Sequence, residues 1–212
     1  MPVAGHHPYD SPEPGPFPEV DDIGRYRNAL HYADSAIAQL TSGLAQRGLD
    51  ESTMIVIVGD HGQAFGQHDG NYGHTFFLYE ENVRVPLMFV VPGLAQPVQV
   101  DRVVSTLDVA PTVLDLLGRE SPKAFQGRSL LPCEHRMALF FTDYSQALLG
   151  LRDGRWKCLY EVESERLRLF DLEVDPGERN NLAEHHVARV HVYRDRLTRW
   201  SSASRAFVLG DR

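Results

Sequence analysis

The chain reads as an α/β fold with a small antiparallel sheet attached, and three stretches carry that reading. Thr53-Met54-Ile55-Val56-Ile57-Val58 is an unbroken run of mostly β-branched or apolar residues. Such a run predicts a strand buried on both faces of a parallel sheet. Ahead of it, Tyr26, Leu30, Ala33, Ile37, Leu40 and Leu44 step by four and three, which places them on one face of an amphipathic helix. From about Met137 the texture changes to short apolar strands joined by turn residues, with one helical stretch to close.

Taken in order, residues 1–22 form an extended lead-in. Pro2, Pro8, Pro12, Pro14, Pro16 and Pro18 forbid a helix there. Composition alone allows a disordered tail, whereas His6-His7-Pro8-Tyr9 is unusual for one. The helix starts near Ile23, with Asp21 or Asp22 as its cap, and Gly48 closes it. The strand at 53–58 runs into Asp60-His61 and then a loop holding Gly62, Gly66, Gln67, His68, Gly70 and Gly73. A loop this poor in apolar residues behind a buried strand points to function. Val85–Val91 predicts the next buried strand, ended by Pro92-Gly93. A short extended piece at 103–107 leads to a helix opening at Asp108-Val109-Ala110-Pro111-Thr112 and stopping at Gly118.

Ala138–Phe141 then predicts a strand. Leu149–Arg152 and Trp156–Tyr160 flank Asp153-Gly154, a tight-turn signal for a hairpin. Leu167–Leu172 is a further strand, Asp175-Pro176-Gly177 a turn, and residues 185–200 a helix covering this antiparallel sheet. The organisation is therefore 1–22 as lead-in, 23–132 as α/β core, and 133–212 as antiparallel sheet plus helix.

Composition bounds the partners. The 212 residues suffice for one main domain with an appendage. A net charge of −8 without a basic run to offset it argues against nucleic-acid binding. No stretch approaches the ~20 apolar residues of a membrane span, and the start is no signal peptide. Taken alone, the chain is expected to be soluble. Cys133 and Cys158 lie in no metal-binding spacing; they form either two free thiols or a single disulfide.

The chemistry concentrates around four residues. Asp60 and His61 stand at the C-terminal end of a strand, where open α/β sheets place ligands. A helix cap and a packed histidine would explain the pair in isolation. The buried strand before it and the glycine-rich loop behind favour a pair of divalent-metal ligands. His74, after Gly73, reads on its own as a satisfied buried histidine. His6 reads, on composition alone, as a residue of a surface tail. His68 and Asp69 read as loop-shaping or rim residues, with metal ligation as the lesser alternative. Glu80 and Glu81 read as structural, one of them holding Arg84.

Several phrases, in order, resemble the sulfatase branch of the alkaline phosphatase superfamily. They are His6-His7-Pro8-Tyr9, Asp60-His61-Gly62, Tyr79 to Leu87, Asp108 to Thr112, Leu151-Arg152-Asp153-Gly154-Arg155-Trp156-Lys157, and Leu169-Phe170-Asp171-Leu172 with Asp175-Pro176-Gly177-Glu178. The resemblance implies an alkaline-phosphatase-like sheet flanked by helices. It also implies hydrolysis or transfer of sulfate or phosphate esters with a divalent metal, calcium, manganese or zinc. It makes Asp60 and His61 metal ligands, places His74 at the anion's oxygens, and gives His6 the leaving-group oxygen. Typical arylsulfatases carry Gly-Lys where this chain has Gly73-His74. The histidine resembles the lipoteichoic-acid-synthase and phosphoethanolamine-transferase side.

The family's nucleophile and its first metal carboxylates lie in segments that would precede residue 1, and neither cysteine stands in a Cys-x-Pro-x-Arg context. The resemblance thus covers the C-terminal portion of such an enzyme, lacking the N-terminal strands and expected to be inactive alone. An N-terminal partner segment is implied, and the parent protein is compatible with a membrane anchor. The competing reading is a non-catalytic interaction module built on the same fold.

Overall fold

The computed structural model describes residues 5–94, 96–132 and 134–210; Cys133 lies outside them. The chain divides into two compact units, one of residues 1–57 with 88–98, the other of 58–87 with 99–212.

In the first unit the main element is helix α1, Asp22–Gln46. Asp21 caps it, its side chain accepting the Gly24 N–H at 2.8 Å, which satisfies one of the donors a helix start leaves open. Gly48 follows the helix at φ +64°, a left-handed geometry that suits glycine. The lead-in is anchored to α1. Asn28, fully buried, accepts the Phe17 N–H and donates to the Phe17 carbonyl, both at 2.9 Å, and also donates to Glu19. Tyr9 is buried edge-on against Tyr26. The apolar stripe expected on α1 is only half-buried, and Leu30 and Leu40 are exposed; the buried contacts are made by Gly24, Asn28 and Ala29.

Strand β1, Ile55–Val58, pairs with β4, Leu87–Val90, in a two-stranded sheet. The expected burial on both faces is not found. Val58 is 42 % exposed and Met88 55 %. With β4 as the strand paired to β1 among the described residues, side chains on the open faces keep contact with solvent.

The second unit holds the antiparallel sheet. Its strands are β5 (Met137–Thr142), β6 (Leu148–Asp153), β7 (Trp156–Glu161) and β8 (Leu167–Asp171), in that spatial order. Asp153 pairs with Trp156, so Gly154-Arg155 are the central turn residues, one position later than the sequence signal suggested, with Gly154 at φ +56°. Alternation along the strands sends Leu149, Leu151, Cys158, Tyr160 and Leu169 to one face. Helix α4, Val187–Leu209, covers that face with Val190, Tyr193 and Leu197, spaced three and four apart. Trp156 and Trp200 pack at the margin of this core. The opposite face, with Leu148, Leu159 and Phe170, receives Leu78 and the start of the short helix α2, Glu80–Val83.

The stretch at 103–107 is not wholly extended. Ser105 caps a 3₁₀ turn at Thr106–Asp108 through a reciprocal capping box, because Asp108 returns to the Ser105 N–H at 3.0 Å. Helix α3, Val109–Leu116, continues from it, and Gly118 ends it at φ +64°. Between β1 and α2 lie two short paired strands, β2 (Ala64–Phe65) and β3 (Tyr72–Gly73), which fold the glycine-rich loop onto itself.

Candidate active site

Asp60 and His61 leave the end of β1 with their side chains linked to their own backbone. Asp60 Oδ1 accepts the His61 N–H at 3.0 Å. His61 Nδ1 lies 2.8 Å from the Gly62 carbonyl. A carbonyl only accepts, so the proton sits on Nδ1 and the lone pair on Nε2. That nitrogen is 3.8 Å from Asp60 Oδ1. Orienting one ring nitrogen by a carbonyl is how proteins prepare the other for a metal.

His74 arrives from the other arm of the loop. Its ring stacks on His61 with centroids 3.8 Å apart and planes 20° from parallel. Its Nδ1 is 3.2 Å from Gln63 Oε1. Asp60, His61 and His74 line one cavity of about 1040 Å³, whose other walls include Arg84, Arg102 and Arg152. The structure therefore brings three of the four expected residues together. His6 belongs to the first unit, is exposed, and keeps Nδ1 2.9 Å from the His7 carbonyl.

The loop around this cavity rests on α2. The Gly62 N–H donates to the Asn82 carbonyl at 2.8 Å. A Cβ at Gly62 would stand 2.1 Å from the Glu81 carbonyl oxygen, so the residue after His61 has no room for a side chain. His68 is no rim residue. It is buried, its Nδ1 2.6 Å from Glu81, its ring stacked on Tyr79. Burial works to raise the Glu81 carboxyl, but hydrogen bonds from His68, from its own backbone and from Asn71 outweigh it and hold that carboxyl below the usual glutamate range.

Glu80 holds Arg84 through its backbone, its carbonyl accepting the Arg84 N–H at 2.8 Å. Glu80 meets Lys157 at 3.0 Å, and Lys157 meets Glu178 at 2.9 Å. Lys157 and Glu178 are fully buried, and burial pushes the Glu178 carboxyl up in spite of the adjacent ammonium. Glu178 also accepts the Glu80 N–H at 2.6 Å, which fixes the first turn of α2. A buried Lys157 cannot act as a rim cation for a substrate. Arg155 is likewise engaged, its guanidinium forked on Asp171. Thr142 at the end of β5 donates to the Thr75 carbonyl at 2.6 Å, bracing the residue after His74.

The donor chemistry suits a divalent metal: a carboxylate oxygen and an imidazole nitrogen 3.8 Å apart. Among the described residues no group of three or more His, Cys, Asp or Glu converges on one point. Asp60 and His61 thus stand as a pair of donors without a third beside them among the described residues. Sequence reasoning found the chemical groups and missed their supports, Asn71, Asn82, Lys157 and Glu178. One signal was available: Lys157 shares a strand face with Leu159 and Glu161, and a lysine on a packed face needs a buried partner.

An α/β core with an acid–imidazole pair at a strand end, and a small antiparallel sheet under one helix, is an alkaline-phosphatase-like fold. Comparison with known proteins narrows this. A family model for sulfatases matches residues 1–119, and one for the C-terminal part of N-sulphoglucosamine sulphohydrolase matches 67–199. The chain belongs to the sulfatase family. It is 33% identical over 180 residues to a choline-sulfatase of Rhizobium meliloti, which covers 77% of this chain and 34% of that protein. It is 30% identical over 206 residues to arylsulfatase K of Mus musculus, covering 86% and 36%. The fold matches the structure of a 2-O GAG sulfatase with a TM-score of 0.75 at 24% identity, over 90% of this chain and 45% of that one. The chain spans about a third of the length of the curated relatives it matches. Sulfatase family members use a divalent metal ion, typically calcium. Among the described residues no helix is long and apolar enough to cross a membrane.

Proposed function

We propose that this chain supplies the C-terminal half of the active site of a metal-dependent sulfate-ester hydrolase. The observation that carries the reading is the convergence of Asp60, His61 and His74 on one cavity, with two imidazoles stacked 3.8 Å apart. Asp60 and His61 hold the metal, with Gly62 fixing the imidazole. A divalent cation bound there supplies Lewis-acid charge neutralisation at the ester oxygens. His74 donates a hydrogen bond to a further ester oxygen. His6 carries the leaving-group proton. The nucleophile and the remaining ligands come from a segment outside this chain, and the half-exposed β1–β4 sheet is the surface on which that segment adds its strands.

The purified chain is expected to hydrolyse nitrophenyl sulfate negligibly and to bind calcium weakly, because two donors make a poor site. Supplying a segment with the family's nucleophile and first carboxylates should restore turnover. Asp60→Ala or His61→Ala should abolish the restored activity. Hydrolysis by the restored enzyme that survives both substitutions would overturn the reading.

A second reading rests on Gly73-His74. A histidine in place of the lysine of typical arylsulfatases favours phosphate esters and transfer, as on the phosphoethanolamine-transferase side of the superfamily. The similarity to a choline-sulfatase and to arylsulfatase K supports sulfate instead. A parallel assay on nitrophenyl phosphate separates the two.

A further inference from the structure

We propose that Asn82 is the positioning residue that sets the distance between His61 and His74, an assignment that rests on the functional reading above. The two histidines lie thirteen residues apart on opposite arms of a glycine-rich loop, and a stack of two imidazoles is too weak to hold such arms by itself. Asn82 touches both arms beside the histidines. Its carbonyl accepts the N–H of Gly62, the residue after His61, at 2.8 Å. Its side-chain Nδ2 reaches the carbonyl of Gly73, the residue before His74, at 3.3 Å.

The amide itself has little freedom. Asn82 and Asn71 exchange reciprocal hydrogen bonds, Asn71 donating at 2.8 Å and Asn82 at 3.1 Å. Asn82 is 3 % exposed and Asn71 1 %. Asn71 also donates to Glu81 at 2.8 Å, and its carbonyl takes the Gly66 N–H at 2.8 Å. A buried amide with its donors and acceptor all engaged has one orientation, so it transmits the position of α2 to both loop arms. Aspartate at 82 would keep the shape and lose the donor; alanine would lose both. The backbone bond to Gly62 survives either change, so the arm carrying His74 is the one released.

The readout is the stack itself, recorded by NMR on the purified chain without metal or substrate. The ring protons of His61 and His74 are assigned with single His→Gln variants. The unmodified chain should show cross-relaxation between the two rings. Asn82→Ala and Asn82→Asp should both abolish it and shift the His74 ring protons, while amide resonances of β5 to β8 stay in place. Cross-relaxation that persists in Asn82→Ala, or that is missing in the unmodified chain, would overturn the assignment. So would loss of the β5–β8 resonances together with the stack in both variants, which would make Asn82 a support of the whole unit. An intact stack in an enzyme that stays inactive after complementation would defeat the functional reading and leave this one standing.

Discussion

Single residues in this chain are constrained for different physical reasons that look alike in sequence. Gly62 and Gly70 both read as loop glycines. Gly62 is required because α2 passes too close, a Cβ meeting the Glu81 carbonyl oxygen at 2.1 Å, whereas Gly70 sits at φ +72° with nothing within 4 Å. Gly62→Ala forces backbone apart and should cost roughly 1–3 kcal/mol, as overpacking does. Gly70→Ala meets only the left-handed backbone penalty of about 1–2 kcal/mol. Denaturant titration separates stability, and the Gly62 variant alone should also displace the His61–His74 stack. Cys158 is a buried thiol in the helix-facing core, and burial pushes it up to about 12. It should resist iodoacetamide at pH 8 in the native chain and react on unfolding, as peptide mapping would show. Rapid native labelling of Cys158 would mean that the β7 core is not closed.

At the scale of elements, α2 is the piece on which the site depends, and it is held by charge as well as packing. Lys157 lies between Glu80 and Glu178 with no exposure of its own. Lys157→Met should destabilise the second unit by about 3–5 kcal/mol, since it leaves two carboxylates facing each other in a buried place. Adding Glu178→Gln should recover part of that loss, and a double-mutant cycle measures the coupling. The Glu81 contacts give a pH dependence. A carboxyl held below its ordinary value near 4.3 contributes stability that is fully present above that value. The contribution is lost as pH falls through the lower folded value. Amides of the loop around His68 and Asn71 should therefore lose exchange protection below about pH 4, ahead of β5 to β8. Loss of both together would disprove the link.

Over the whole molecule, what the sequence made legible is what local rules govern. The helix from 22, the strands at 55–58 and 87–90, the hairpin and the covering helix all follow from period and turn chemistry, as do Asp60 and His61 at a strand end. The burial of β1 was overestimated because a run of β-branched residues reports the sheet it was selected for, while exposure depends on which neighbours pair with it. The supports of the site were missed for a related reason. Asn82 and Lys157 act through contacts 9 to 77 residues away in sequence, and no periodicity encodes a partner. Gly154-Arg155 was displaced by one because the register is set by the pairing of Asp153 with Trp156.

The chain's two tryptophans, Trp156 and Trp200, both pack beside the core formed by α4 and the four-stranded sheet. Intrinsic emission on heating will accordingly follow that part of the protein and be blind to α1 and its anchored lead-in, whose tyrosines are Tyr9, Tyr26 and Tyr32. A single fluorescence melting curve would register one transition even if the two units came apart at different temperatures.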